Sequence, residues 1–410
     1  MDVLDISDSW RDGTATARVR IRPSGQEDSL VLWYRFRGLS QPLDGLAEAV
    51  TAGLVVPCMF EGEPLSVPGG LSADLVTNVT KAQQILRSWH DELSPVAIMA
   101  SQLDHVGAQQ SGTGVACCFS GGVDSWYSLL NHEARVSHLL LVRGFDIGLD
   151  NDVLWSAAIR YGARAAEGLG KQLITCETNL REIADKRRAR WGRRFQGDFW
   201  GQCLHGAALA SVALALRQTV GELIIPATHT YAQMKPWGSS PLLDHLWSDG
   251  YLDITHDGCE ANRVEKVRLI ADSDLALETL RVCYHDTSEI NCGHCEKCLR
   301  TMMALHVCGA LSRAKTFPHH LPVREIHSLI VPTQVRHHYV TLQKEAQIAG
   351  DKEVLKATEI ILKERLSLHQ VTAQAKRVVR ATAPGRMLLR LRNRGRLAAS
   401  PSATVPNTGR

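Results

Sequence analysis

Three groups of side chains in this sequence could do chemistry. The first is Ser120, Gly121, Gly122, Val123, Asp124 and Ser125, set between the apolar "ACCF" and the helix-like "WYSLL". The glycines leave backbone N–H groups unobstructed, a helix starting at Val123 turns its positive end toward them, and Ser120 and Ser125 add hydroxyl donors. Together these make an anion cradle. Asp124 is the odd member, because a carboxylate repels phosphate; it fits if Mg²⁺ stands between the two. No Gly-Lys-Ser/Thr follows, so this is not a Walker A loop. The plain alternative is a tight turn whose acid is stabilised by the helix dipole.

The second group is "RVCYHDTSEINCGHCEKCLR", which spaces Cys283, Cys292, Cys295 and Cys298 as Cx8CxxCxxC. Four thiolates at such spacing suit a closed, structural Zn²⁺ site that pins its loop. Three of them in CxxCxxC also suit an iron–sulfur cluster, and buried free thiols are the remaining alternative. The third group is the stretch 228–258, rich in His229, Tyr231, Lys235, Trp237, Asp244 and His256, with the side chains a small-molecule pocket needs. Arg263 and Lys266, three apart at a helix start, could meet a phosphate or a carboxylate, or form an exposed salt-bridging face. The basic run "RRARWGRRF" at 187–195 reads as an anion contact, a solvated face or a lid, and His205 as a satisfied core histidine.

The hexapeptide resembles the SGGxDS signature of the PP-loop ATP pyrophosphatases, with the adenine nucleotide alpha hydrolase-like fold. That resemblance implies ATP cleaved between the α and β phosphates, pyrophosphate held by residues 120–125, Asp124 with Mg²⁺, and adenine near residues 142–145. With Gly293 and the "CLR" that begins at Cys298, the cysteine spacing resembles the zinc site of the 7-cyano-7-deazaguanine synthase family. The chemistry implied is adenylylation of a small-molecule carboxylate, followed by attack of ammonia or another amine, with amide or nitrile as product. It spans about residues 115–305. The synthases lack the N-terminal region and the long C-terminal extension found here, and the 228–258 stretch does not match their substrate pocket. Thiolation of a tRNA base or nucleoside, and a non-enzymatic nucleotide-binding module, stay open beside it.

The elements that must position these groups follow from hydropathy. Apolar runs "VACCF", "SHLLLV", "KQLITC", "ELIIPAT" and "LRVCY" alternate with helical patterns over 123–132, 153–169, 199–216 and 263–280. This is an α/β, doubly wound parallel sheet of Rossmann-like (HUP) type, with ligands beyond the carboxyl ends of the strands. Ahead of it, "TATARVRIRP" and "DSLVLWYRFRG" alternate as β-hairpin strands, and "LSADLVTNVTKAQQILRSWHDEL" follows with helical spacing. The expected organisation is a β-rich accessory domain at 1–110, the PP-loop domain with its four-cysteine zinc site at 111–312, a helical extension at 313–380, and a basic, disordered tail at 381–410.

The chain has 410 residues and a formal charge of +3, which gives no global signal for nucleic acid or membrane; clustered arginines from Arg386 to Arg396 keep a nucleic-acid contact through the tail open. Eleven cysteines, an odd number over a long chain, argue against a disulfide framework, and neither a signal peptide nor a ~20-residue apolar span is visible. The expectation is a cytoplasmic protein using ATP, Mg²⁺ and Zn²⁺, with a homodimer admitted.

Overall fold

The computed structural model describes residues 1–104, 112–190, 195, 197–283 and 290–363. The strands are β1 (Asp2–Arg11), β2 (Thr14–Arg22), β3 (Leu30–Arg37), β4 (Leu65–Ser66), β5 (Gly70–Ser72), β6 (Ile98–Met99), β7 (Gln102–Asp104), β8 (Gly114–Cys118), β9 (His138–Arg143), β10 (Gln172–Thr178), β11 (Val220–Pro226) and β12 (Asp253–Asp257). The α-helices are α1 (Leu46–Glu61), α2 (Ala73–Trp89), α3 (Val123–Asn131), α4 (Asp152–Gly168), α5 (Leu180–Arg190), α6 (His205–Leu214), α7 (Arg263–Ala271), α8 (Asp274–Thr279), α9 (Glu296–Val307), α10 (Val323–His327), α11 (Arg336–Ala349) and α12 (Lys352–Lys363).

One mostly parallel sheet runs β12-β11-β8-β9-β10-β3-β2-β1-β4-β6. Its first five strands are parallel neighbours, and β3 then pairs antiparallel with β10, Thr175 opposite Arg37. The hairpin strands read in 1–110 are thus part of the same sheet as the parallel strands. Alternation along the strands explains how both faces become core. Ala116 and Cys118 of β8, with Leu223 and Ile225 of β11, face a cluster built from α1, α2, α5 and α6. The intervening Cys117 and Ile224 face the cluster of α3, α7, α8, α9, α11 and α12. The helical extension, as far as residue 363, therefore belongs to the second face's core. Among the parallel strands β8 lies at the centre: β9 and β10 follow outward on one side, β11 and β12 on the other. The chain changes direction between β8 and β11, and such a reversal opens a crevice at the strands' carboxyl ends.

Two expectations need correction. The run "LRVCY" forms no strand over its described residues 280–283; the fifth parallel strand is β12, a polar segment in which only Ile254 is buried. Residues 280–283 are buried as a strand would be, but Val282 and Cys283 donate their backbone N–H groups to Asn291 Oδ1 at 2.9 and 3.2 Å, away from the sheet. The helix expected over 263–280 is two helices, because the Ser273 side chain accepts from Ala276 N–H and caps a new start at α8. Residues 364–410, including the arginine-rich tail, lie outside the described residues. No helix among the described residues is long and apolar enough to cross a membrane.

Candidate functional site

The Ser120 to Ser125 segment joins β8 to α3 at the mouth of this crevice. Gly121 is left-handed, φ +75°, which admits glycine and strains other residues. Gly122 is the N-cap of α3, and no side chain caps the first-turn N–H groups. Ser125 Oγ donates to Gly122 O at 3.0 Å and lies 3.4 Å from Ser120 Oγ, so both hydroxyls line the turn.

A cleft of about 160 Å³ lies on one side of this turn. Its walls include Ser120, Asp124, Val142, Phe145, His205 and Arg281. Val142 and Phe145 supply flat and apolar surface, whereas Arg143 between them is buried on Leu149 O (2.6 Å), Gly148 O (3.2 Å) and Glu177 (3.2 Å) and belongs to the scaffold. On the other side of the turn a smaller cleft of about 60 Å³ is lined by Ser120, Asp124, Arg263, Arg281, Cys283 and Lys297. The turn thus separates a larger recess of mixed polar and apolar lining from a smaller, basic one.

Asp124 faces the basic side. Lys266 Nζ donates to its Oδ1 at 3.0 Å and to Ala227 O at 2.7 Å, and Arg263 Nη1 lies 3.7 Å from its Oδ2. Burial raises the Asp124 pKa, but the charges of Lys266, Arg263 and Lys297 outweigh it and hold the carboxyl below its ordinary range. Lys266 is almost fully covered, its side chain 3 % exposed, while Asp124 keeps 30 % exposure toward the clefts, so of the two alternatives for Lys266 the exposed salt-bridging face is the one not seen. Asn262 fixes where α7 begins through a reciprocal capping box with Glu265, and so places Arg263 and Lys266 on the side facing Asp124.

The four cysteines come together. One ligand atom from each of Cys283, Cys292, Cys295 and Cys298 lies within 4.8 Å of every other. The sulfurs of Cys283 and Cys295 are 3.9 Å apart and those of Cys292 and Cys298 3.8 Å. A tetrahedral ion with ~2.3 Å metal–sulfur bonds needs edges of about 3.8 Å. This spacing therefore fits a single metal ion and is too tight for a cluster of several irons. The cluster also adjoins the Ser120 to Ser125 turn: two residues before Cys283, Arg281 donates its backbone N–H to Gly121 O at 2.7 Å and its Nε to Ser120 O at 3.1 Å.

The 228–258 stretch divides. Asp244 accepts from Ser239 Oγ at 2.8 Å and from His256 Nδ1 at 2.7 Å, and Trp247 is fully buried, so these residues hold the loop together. Tyr231 is exposed on the surface. His229, Lys235 and Trp237 form a separate group, with the His229 and Trp237 rings edge to face at 5.4 Å and Lys235 Nζ 5.1 Å from the indole. In the basic run, Arg187 is buried against Glu61 and Glu63 as a structural ion pair, while residues 191–194 lie outside the described residues. His205, expected as core, lines the larger cleft. Sequence reasoning missed Arg281, Lys297 and Arg300. Lys297 carried a readable signal, as the middle of "CEKC"; His337 and His338 of α11 carried none.

Comparison with family models, with curated proteins and with solved structures returned no match to this chain.

Proposed function

We propose that this protein is an ATP-dependent synthase of PP-loop type that adenylylates a small-molecule carboxylate and passes it to ammonia or another amine. The observation that carries the reading is the placement of the Ser120 to Ser125 turn at the strand reversal between β8 and β11, with Asp124 paired to Lys266 and Arg263. In this reading adenine would lie against Val142 and Phe145 in the larger recess, and the phosphates would run over the turn at Gly122 toward Arg263, Arg281 and Lys297 in the basic one. An acceptor oxygen would attack the α-phosphorus as the bond to the bridging oxygen of the β-phosphate breaks and pyrophosphate departs. The amine nitrogen then attacks the acyl carbon, AMP leaves with the bonding electrons, and the nitrogen loses a proton. No covalent bond to the protein is needed.

The chain's own contribution is electrostatic. Backbone N–H groups at the start of α3 and the cations of the basic recess are fixed before pyrophosphate charge develops, which is where such groups act most strongly. Asp124 suits magnesium, a hard cation that prefers carboxylate oxygen and would neutralise phosphate charge. Four cysteine sulfurs with no other donor in the set suit zinc in a structural role, keeping Arg281 on the turn. Thiolation would need a reactive sulfur; Cys118 lines the larger cleft, but burial pushes its thiol far above the ordinary value, as it does for Cys117 and Cys176. That favours the amine route.

The test is pyrophosphate release from Mg-ATP in the presence of a pool of candidate acids, with adenylates and amides identified by mass spectrometry. Release dependent on an added acid and abolished in Asp124→Ala is expected. Full activity of Asp124→Ala would remove the site assignment.

A further inference from the structure

Beyond the nucleotide recesses, a group of buried polar atoms is left without hydrogen-bond partners. Arg300 of α9 is 5 % exposed, and its Nη1 has none; its Nε lies 3.4 Å from Glu296 Oε1 without hydrogen-bond geometry, on a carboxylate oxygen that already accepts from Tyr339 at 2.9 Å. Arg263 uses Nη2 on Thr301 Oγ1 at 3.2 Å, but its Nε has no partner. Both ring nitrogens of His229, and Nε2 of His337, are buried and unbonded as well. Leaving such groups unpaired is costly, and sites where they gather call for a ligand.

Two of these side chains, Arg263 and Arg300, meet at one wall. Arg263, Arg300 and His338 line a cavity of about 10 Å³ with Val264, Ala304 and Leu342. The His337 and His338 rings are 4.0 Å apart on α11, which is fastened to α9 by Tyr339 and Glu296 and to α7 by Arg268 and Glu345 at 2.7 Å. Burial and the nearby charges of Arg300, Arg263, His337 and His229 hold His338 far below its ordinary value, so the ring is neutral and the positive field around it comes from the arginines. Arg263 lines this cavity and the basic recess beside Asp124.

We propose that Arg263, Arg300 and His338 bind a carboxylate of the acceptor substrate, so that α11 of the C-terminal extension builds part of the substrate site. The cavity takes about one oxygen, so an anion would enter it by one edge, and the flat edge of a carboxylate suits the space between these side chains. Two guanidinium groups match that edge with planar N–H donors. Binding there places the carboxylate one side chain from the phosphate turn. That this carboxylate is the one activated rests on the function proposed above; its binding does not.

The experiment is calorimetric titration of the full chain with benzoate and with its neutral counterpart benzamide, without nucleotide, and with ATP in parallel. Benzoate is expected to bind at least about tenfold more tightly than benzamide, a loss of one charge-assisted contact. Arg300→Gln and His338→Gln should each erase that preference, and Arg300→Lys should restore part of it. Thermal melts confirm folding; if Arg300→Gln does not fold, His338→Gln decides. Equal affinity for the two probes, no benzoate binding, or a preference that survives in the folded variants overturns the site. ATP binding lost with the benzoate preference intact would instead overturn the nucleotide reading and leave this one standing.

Discussion

Replacing Lys266 by Met tests the ion pair on which the loop assignment turns. Lys266 Nζ lies 3.0 Å from Asp124 Oδ1, and Arg263 is the more distant partner at 3.7 Å. At an effective dielectric of ~20 the closer pair attracts by roughly 5 kcal/mol, but desolvation of both groups offsets much of it, leaving ~2 kcal/mol, as for other hydrogen bonds to charged groups. Lys266→Met also loses the bond to Ala227 O, so its total cost should be about 3 kcal/mol. Urea unfolding of Lys266→Met, Asp124→Asn and the double variant isolates the pair, because the Ala227 loss cancels in the cycle. A coupling of about 2 kcal/mol is expected. The pH dependence follows the same pair: a depressed carboxyl contributes stability that is present above its unfolded pKa of ~3.9 and lost as pH falls through its lower folded value. Without Lys266, burial is opposed less strongly, the Asp124 pKa rises, and the acid limb of the stability curve moves to higher pH. Additivity within ~0.5 kcal/mol, or an unmoved acid limb, would refute the geometry.

The remaining expectations concern the turn, the cysteines and one buried histidine. Gly121→Ala places a Cβ only 3.5 Å from Arg281 Cβ, an ordinary contact, so its cost should be conformational, ~1–2 kcal/mol, read by urea unfolding, with nucleotide affinity falling about tenfold or more as the turn opens. Metal analysis should find one zinc per chain and none in Cys298→Ser, and nucleotide affinity in that variant should drop roughly 30-fold, the equivalent of ~2 kcal/mol, because Arg281 loses its anchor on the turn; an unchanged affinity would uncouple the two sites. Burial lowers the His256 pKa, but hydrogen bonds and charge from Asp244 and Cys259 raise it to about 9. Its contribution, about 3 kcal/mol, should be fully present below its unfolded pKa of ~6.5 and fade as pH rises through 9, and His256→Gln should flatten that slope in unfolding curves.

Much of the scaffold was legible because its signals are local. The apolar runs that became β8 to β11 and the "SGGVDS" break each announce themselves within a few residues. The cysteines were equally plain, since spacing alone brings Cys292, Cys295 and Cys298 to one point. What stayed hidden depends on contacts distant in sequence. Strand β12 is polar outside Ile254 and earns its place by pairing with β11, and residues 280–283 imitate a strand because they are buried for another reason, as a strut under the turn. His337 and His338 sit in a helix with nothing local to mark them, and only the packing of α11 on α7 and α9 brings them toward Arg263.

The distribution of charge around the turn explains why so much of the chain converges on it. Arg263, Lys266, Arg281, Lys297 and Arg300 lie around the two recesses and the adjoining cavity, with Asp124, Asp146 and Glu296 as carboxylates among them. Such an excess of partly buried cations repels itself and works against folding. It persists because each cation is fixed by a different element: the capping box starts α7 at Arg263, Ala227 O and Asp124 hold Lys266, and the cysteine cluster fixes Arg281. A polyanion entering the recess would relieve the repulsion without any of these elements having to move. Positive potential fixed before the ligand arrives is what separation of pyrophosphate from ATP demands, since the charge to be stabilised appears only as the bond breaks.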